Sequence, residues 1–236
     1  MSTVRLIGLV VAFAAGLLLS RTESMWATAP VIAAVVLIAV LVSELGRPRP
    51  ERQRGSGAAL EVRRVRDYVR RGAALGGLGL GLLLLAELWL VSQFADSVYL
   101  RWGMNWTVAF APWAAASRVA GGVTATVVVT LAVLVLCPAV VWSTVRSPRA
   151  GADDTTRERD ERWRRGAVQT CVAAGGWILS VLVLIWNITL VFVSPTIEAW
   201  TSVNDMVVVG VAGLFAALGL AAAIAYGAAL LPAPDR

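Results

Sequence analysis

The chain has 236 residues, of which 58% are hydrophobic and 15% charged, and its formal net charge is +6. Soluble domains average about 45 to 50% apolar residues, so this composition predicts that lipid surrounds most of the chain. Histidine is absent, which removes the commonest zinc ligand and the usual haem ligand. Cys137 and Cys171 fall inside apolar runs, where a thiol behaves as a small hydrophobe. We therefore expect no metal, no cofactor and no disulfide.

Six apolar runs are separated by short charged or turn-rich stretches, and a spanning helix needs about 20 apolar residues. The runs cover residues 4–20, 26–42, 72–93, 119–142, 167–193 and 206–231. They predict an all-α fold, a transmembrane helical bundle of six spans that forms one integral membrane domain over residues 1–236. In the first run Leu18 and Ser20 make a poor cleavage site, so we expect an uncleaved anchor and not a signal peptide.

The positions of arginine predict the orientation, because cytoplasmic loops carry the excess of positive charge. Residues 46–71 and 144–166 hold most of the arginines, whereas the opposite side has only Arg21, Arg101 and Arg118. Both arginine-rich loops should therefore be cytoplasmic, with both chain ends also inside, in the inner membrane of a bacterium. Arginines near an anionic leaflet are each attracted by about 1 kcal/mol. Anionic lipid thus explains the charge, and we expect no nucleic-acid partner.

The first cytoplasmic loop has apolar residues at helical spacing and arginines at the intervening positions. The apolar positions are Ala58, Val62, Val65 and Val69, and the basic ones are Arg63, Arg64, Arg66, Arg70 and Arg71. This pattern predicts a basic amphipathic helix on the surface of the inner leaflet. Two roles stay open for it, a lipid-surface anchor and a docking helix for a cytoplasmic protein partner.

In the second cytoplasmic loop Glu158, Asp160 and Glu161 are each followed by an arginine four residues later. Such pairs stabilise a solvated helix, which should continue into the fifth span, and we prefer this interpretation to a metal or catalytic cluster. The string Arg-Arg-Gly-Ala occurs at residues 70–73 and again at 164–167. A duplicated two-helix hairpin would produce it, and so would selection for arginines at a helix entrance.

The outer loop, residues 97–117, is rich in aromatic residues at steps of three and four. They are Tyr99, Trp102, Trp106, Phe110 and Trp113. This spacing predicts one helix that lies at the outer interface with its rings on one side, and that Pro112 kinks or ends. The segment is either an aromatic belt or a lid over an outward-facing cavity.

Glu87 is the clear ionisable residue within the predicted spans, and Asn187 lies about as far from the outer end. An acid at this depth is a functional-site hypothesis by default. Either the two residues form a proton- or cation-responsive site, or Glu87 stays protonated and makes an interhelical hydrogen bond to Asn187, Thr189 or a neighbouring carbonyl, worth roughly 0.6 to 2 kcal/mol. Small residues at four-residue spacing predict close helix packing; they are Gly72 with Gly76, Gly77 with Gly81, and Gly219 with Ala223 and Gly227.

The stretch from Ala59 to Tyr68, with the apolar hairpin before it, resembles a group of uncharacterised membrane proteins from high-GC Gram-positive bacteria. The resemblance is clearest over the first third of the chain and implies a membrane topology without any activity. No residues pair a nucleophile with a base, so we expect a non-enzymatic subunit or accessory of a membrane complex. The alternative is a small permease or proton-coupled transporter that uses Glu87.

Overall fold

The computed structural model describes residues 25–45, 65–106, 112–147, 154–193 and 203–230. The predicted first span, residues 4–20, lies outside these residues. Five α-helices and one 3-10 turn, Val65–Asp67, make up the described part, which contains no strand. The helices are α1 (Met25–Leu45), α2 (Arg71–Trp106), α3 (Pro112–Arg146), α4 (Asp154–Val193) and α5 (Val203–Leu230). The all-α prediction is confirmed for this part of the chain.

Four of the helices contain a stretch that is long and apolar enough to cross a membrane. These stretches are Arg71–Trp89, Gly122–Arg146, Thr155–Ile188 and Gly210–Leu230, and α1 contributes a shorter apolar stretch, Pro30–Val42. They correspond to the third to sixth predicted runs and, in α1, to the second. The count of six spans and the orientation stay predictions.

Three helices are longer than a membrane is thick. The helices α2, α3 and α4 have 36, 35 and 40 residues, which at the usual helical rise is about 52 to 60 Å, against about 30 Å of hydrocarbon. Because α4 already begins at Asp154, the predicted helix that continues from the second loop into the fifth span is confirmed. Pro112 begins α3, a position where a missing N–H is harmless. The expectation that Pro112 kinks or ends a helix was therefore wrong.

Helix α4 forms the centre of the bundle. Of its apolar stretch 67% is buried, against 28% for α2 and α3 and 17% for α5. The other four helices all pack against α4, and α1 and α2 also pack against α3. Buried leucines of α2, Leu84 and Leu88, meet Ile178, Leu182 and Val183 of α4 in the core. The bundle therefore leaves the outer faces of α2, α3 and α5 apolar and exposed, as a lipid environment requires.

Glycines allow the closest helix contacts. A Cβ atom added to Gly219 of α5 would lie 2.8 Å from the backbone nitrogen of Leu184 in α4, so these two backbones touch. Added Cβ atoms at Gly76 and Gly81 would each meet a side chain of another helix at 2.9 Å, whereas Gly72 has nothing within 4 Å. The packing prediction is confirmed for Gly219, Gly76 and Gly81, but Gly72 takes no part in it.

Candidate functional sites at the two ends of the bundle

The 3-10 turn replaces the end of the predicted amphipathic helix. Residues 65–67 form the turn, Tyr68 and Val69 donate backbone hydrogen bonds of 3.1 Å to the carbonyl of Val65, and α2 begins only at Arg71. A continuous helix through residues 65–70 was therefore a wrong prediction. Ala58, Val62, Arg63 and Arg64 lie outside the described residues.

The apolar side of this turn packs against the helical bundle. Its residues pack against a buried cluster of α3 and α4 formed by Val141, Val145, Val168 and Cys171; the packed residues are Val65, Tyr68 and Val69. Arg66, Arg70 and Arg71 are exposed. The bundle therefore covers the apolar side of the turn, while the lipid-anchor and protein-docking roles stay predictions.

Arg164 corrects the prediction that the acid–base pairs of α4 are all solvated. Its Nε donates to Asp160 Oδ2 at 2.9 Å, and the two side chains are only 2% and 4% exposed. The other two predicted pairs also form: Arg162 lies 3.9 Å from Glu158 and Arg165 lies 3.2 Å from Glu161. Spacing along α4 predicts all three pairs, but it cannot reveal that α3 covers one of them.

The same guanidinium caps the carboxyl end of α3. Arg164 Nη1 donates to the carbonyl of Thr144 at 2.6 Å, to the carbonyl of Ser147 at 2.9 Å and to Ser147 Oγ at 2.6 Å. The last carbonyls of a helix have no partner within the helix, and a cation there also meets the negative end of the helix dipole. Arg164 is thus a buried connector between two helices.

A second contact ties the first arginine-rich loop to the second. The hydroxyl of Tyr68 donates to Glu161 Oε2 at 3.0 Å, and Glu161 also accepts from Arg165. Together with the Arg164 cap, this contact places the start of α2, the end of α3 and the charged turns of α4 at one end of the bundle. We call this the arginine end.

The two Arg-Arg-Gly-Ala strings have different structural roles. In the first, the carbonyl of Arg70 accepts from the backbone nitrogens of Ala73 and Ala74, so Arg70 precedes the first turn of α2. In the second, Arg164 lies in the interior of α4 and is buried. The strings do not occupy equivalent positions, and the duplication stays a prediction.

At the opposite end the structure brings Glu87 and Asn187 together. Asn187 Nδ2 donates to Glu87 Oε2 at 3.0 Å and to the carbonyl of Val183 at 2.9 Å. Glu87 is 9% exposed and Asn187 is 1% exposed. The second carboxyl oxygen, Glu87 Oε1, is buried and has no hydrogen-bond partner among the described residues. The site therefore contains a carboxyl group with one unused acceptor.

A polar contact that the sequence does not predict lies beside the Glu87–Asn187 pair. Trp186 Nε1 donates to Thr126 Oγ1 at 3.1 Å, and the Thr126 hydroxyl in turn donates to the carbonyl of Gly122 at 2.8 Å. This contact joins α4 to α3 one residue before Asn187 joins α4 to α2. Tryptophan at a predicted membrane depth is common in lipid-facing positions, so only the fold identifies Trp186 as buried.

The aromatic outer segment is divided between two helices. Tyr99, Trp102 and Trp106 belong to α2 and Trp113 to α3, while Phe110 lies outside the described residues. The side chains of all five fall outside those that the structure describes. The interfacial role of these rings, as a belt or as a lid, stays a prediction.

No family model, curated protein or solved structure matches the chain.

Helix directions follow from the contacts at both ends. Tyr68, three residues before α2, contacts Glu161, and Glu87 farther along α2 contacts Asn187 farther along α4, so these helices run parallel. Helix α3 runs antiparallel to α4, because Thr144 near its end contacts Arg164 whereas Thr126, earlier in the helix, contacts Trp186. Helix α5 also runs antiparallel to α4, because Gly219 lies against Leu184 and Gly227 against Trp177. The four helices therefore form two antiparallel pairs, α2 with α3 and α4 with α5.

Proposed function

We propose that the chain is a multi-pass protein of the bacterial cytoplasmic membrane, with six spans and both ends inside, and that it acts as a non-enzymatic subunit or accessory of a membrane complex. In this arrangement the arginine end faces the cytoplasm, in accord with the excess of positive charge found there in membrane proteins. The resemblance to membrane proteins of high-GC Gram-positive bacteria agrees with this localisation.

The observation that carries the proposal is the set of exposed arginines on a tightly connected end of the bundle. Among the side chains that the structure describes there, eight arginines are exposed against two exposed acids, Asp67 and Glu158; the arginines are Arg66, Arg70, Arg71, Arg146, Arg157, Arg159, Arg162 and Arg165. Arg164, by contrast, is buried and holds the fold. The exposed guanidinium groups thus form a basic surface that anionic headgroups or an acidic protein surface would complement.

Helix length separates these two partners along α4. Gly166 marks the predicted edge of the hydrocarbon, and Arg157 lies about 13 Å beyond it at the helical rise. The headgroup layer is only about 5 to 8 Å deep on each side of a bilayer. Arg165 and Arg162 therefore fall within reach of lipid, whereas Arg157 and Arg159 reach past the headgroups to a cytoplasmic protein.

A photo-crosslinking residue tests this proposal in native membranes. Placed at Arg157, it should form one discrete adduct with another protein, and the adduct should weaken when Arg159 is changed to Gln. The control position is Leu214 of α5, which is 67% exposed and apolar, and which should form adducts with lipid. Lipid adducts alone at both positions, or none at Arg157, would contradict the proposal.

A further inference from the structure

The orientation of the Asn187 amide is fixed by its partners. The carbonyl of Val183 only accepts, so the atom 2.9 Å from it must be the amide nitrogen. An amide nitrogen has two protons, and the second points at Glu87 Oε2, 3.0 Å away. Both donors of Asn187 are therefore used, and Glu87 Oε2 is an acceptor in this contact.

This assignment leaves Glu87 Oε1 as the open position. The oxygen is buried and has no hydrogen-bond partner in the part of the chain that the structure describes. A carboxylate in such a place would be held by the Asn187 amide, and a buried charge with so few partners is costly. A proton on Oε1 removes the charge without disturbing the bond between Asn187 and Oε2.

No cation among the described side chains faces Glu87. The side chains of α1 that the structure describes, residues 30–42, include no titratable group. In the other helices the titratable groups in or against the described core are Cys137 of α3, Cys171 of α4 and Tyr226 of α5, all toward the arginine end. Along the helices, Asp96 lies about 14 Å beyond Glu87, and Arg118 about 12 Å beyond Thr126. A proton is therefore the counter-charge that fits the site.

We propose that Glu87 and Asn187 form a proton-binding site between α2 and α4, with the proton carried on Glu87 Oε1. Binding converts the carboxylate and one proton into the neutral acid, with no other bond made or broken. After the proton leaves, the Glu87 carboxylate needs further hydrogen-bond donors. Water can supply them if it enters the site, for instance when α2 separates from α4. Proton exchange is thus coupled to the contact between these helices, independently of the function proposed for the arginine end.

Infrared difference spectroscopy of the full-length protein in lipid nanodiscs, recorded across a pH series, tests the proposal. The acid form should give a carbonyl band that shifts in deuterium oxide, titrates reversibly and disappears in Glu87→Gln. Gln keeps an oxygen for Asn187, so the bundle should fold. The matched control, Glu158→Gln, changes an acid that is 74% exposed and should leave the band in place.

Asn187→Leu supplies a second readout that does not depend on replacing the acid. Loss of the donor to Oε2 should move the band to a different frequency and raise the affinity for the proton about tenfold, because hydrogen bonds to the charged form stabilise it. A band that is unchanged in Glu87→Gln and Asn187→Leu would overturn the proposal. A band that never titrates while the protein stays folded would also overturn it, because Glu87 and Asn187 would then form an interhelical hydrogen bond only. A band that responds to sodium at fixed pH would overturn it too, because the site would then bind a metal cation.

Discussion

Replacement of Arg164 by Ala perturbs the most buried charge of the arginine end. In the wild type the guanidinium pairs with Asp160, which is 4% exposed, and donates to the carbonyls of Thr144 and Ser147. The variant would leave a buried carboxylate without its cation and the end of α3 without its cap. Both effects act on contacts between α3 and α4, so the variant should destabilise the whole bundle.

The magnitude follows from the geometry of the pair. Removal of one partner from a buried ion pair costs about 3 to 5 kcal/mol, because the other charge stays buried. The double variant Arg164→Leu with Asp160→Leu removes both charges and should recover part of this loss. Arg162→Ala is the matched control on the same helix, since its pair with Glu158 is 74% exposed at both side chains. Exposed pairs contribute about 0.2 to 1 kcal/mol.

Unfolding in mixed detergent micelles, followed by tryptophan fluorescence, gives the free energy of unfolding for each variant. We expect the order wild type, Arg162→Ala, double variant, Arg164→Ala, from the most to the least stable. Equal stabilities of Arg164→Ala and Arg162→Ala would refute the assignment of Arg164 as a buried connector. A double variant less stable than Arg164→Ala would refute the claim that the unpaired Asp160 charge causes the loss of stability. It would not contradict the role of Arg164 as the cap of α3.

Three further predictions concern other contacts between helices. Gly219→Ala should destabilise the bundle by about 1 to 3 kcal/mol through overpacking against a backbone 2.8 Å away, whereas Gly213→Ala, with nothing within 4 Å, should have little effect in the same unfolding assay. Tyr226→Phe removes a 2.7 Å hydrogen bond to the first turn of α2 and should lower the unfolding free energy by about 1 kcal/mol; an unchanged value would argue against the bond. Tyr68→Phe breaks the bond to Glu161 and should speed trypsin cleavage in the first loop without changing cleavage elsewhere; equal rates would show that this bond does not restrain the loop.

Periodicity and charge alone predict the long apolar helices among the described residues and the local ion pairs of α4. Hydropathy finds the apolar stretches because the bilayer accepts only long runs without charge, and four-residue spacing finds the partners of Glu158, Asp160 and Glu161 because the helix itself brings them together. The partner of Glu87 is also predictable, since two polar residues at the same depth in an apolar bundle have few other partners.

Tertiary contacts decide the features that the sequence does not predict. Arg164 and Arg165 have the same local pattern, but α3 covers only the first of them. Likewise the valines Val65 and Val69 have the spacing of a leaflet-bound helix, yet they pack on α3 and α4. Gly176 lies outside the predicted small-residue pairs, although an added Cβ there would overlap the ring of Tyr226 in α5. Each case depends on a neighbouring helix that is distant in the sequence.

Cysteine labelling in whole cells is the most direct test that the chain is membrane-embedded with its arginine end in the cytoplasm. The native Cys137 and Cys171 are buried and should give little background. A cysteine in place of the exposed Arg162 should react with a membrane-impermeant maleimide only after the cells are opened, whereas one in place of Asn105 should react in intact cells. Reaction of the Arg162 position in intact cells, or recovery of the chain in the soluble fraction without detergent, would contradict the account.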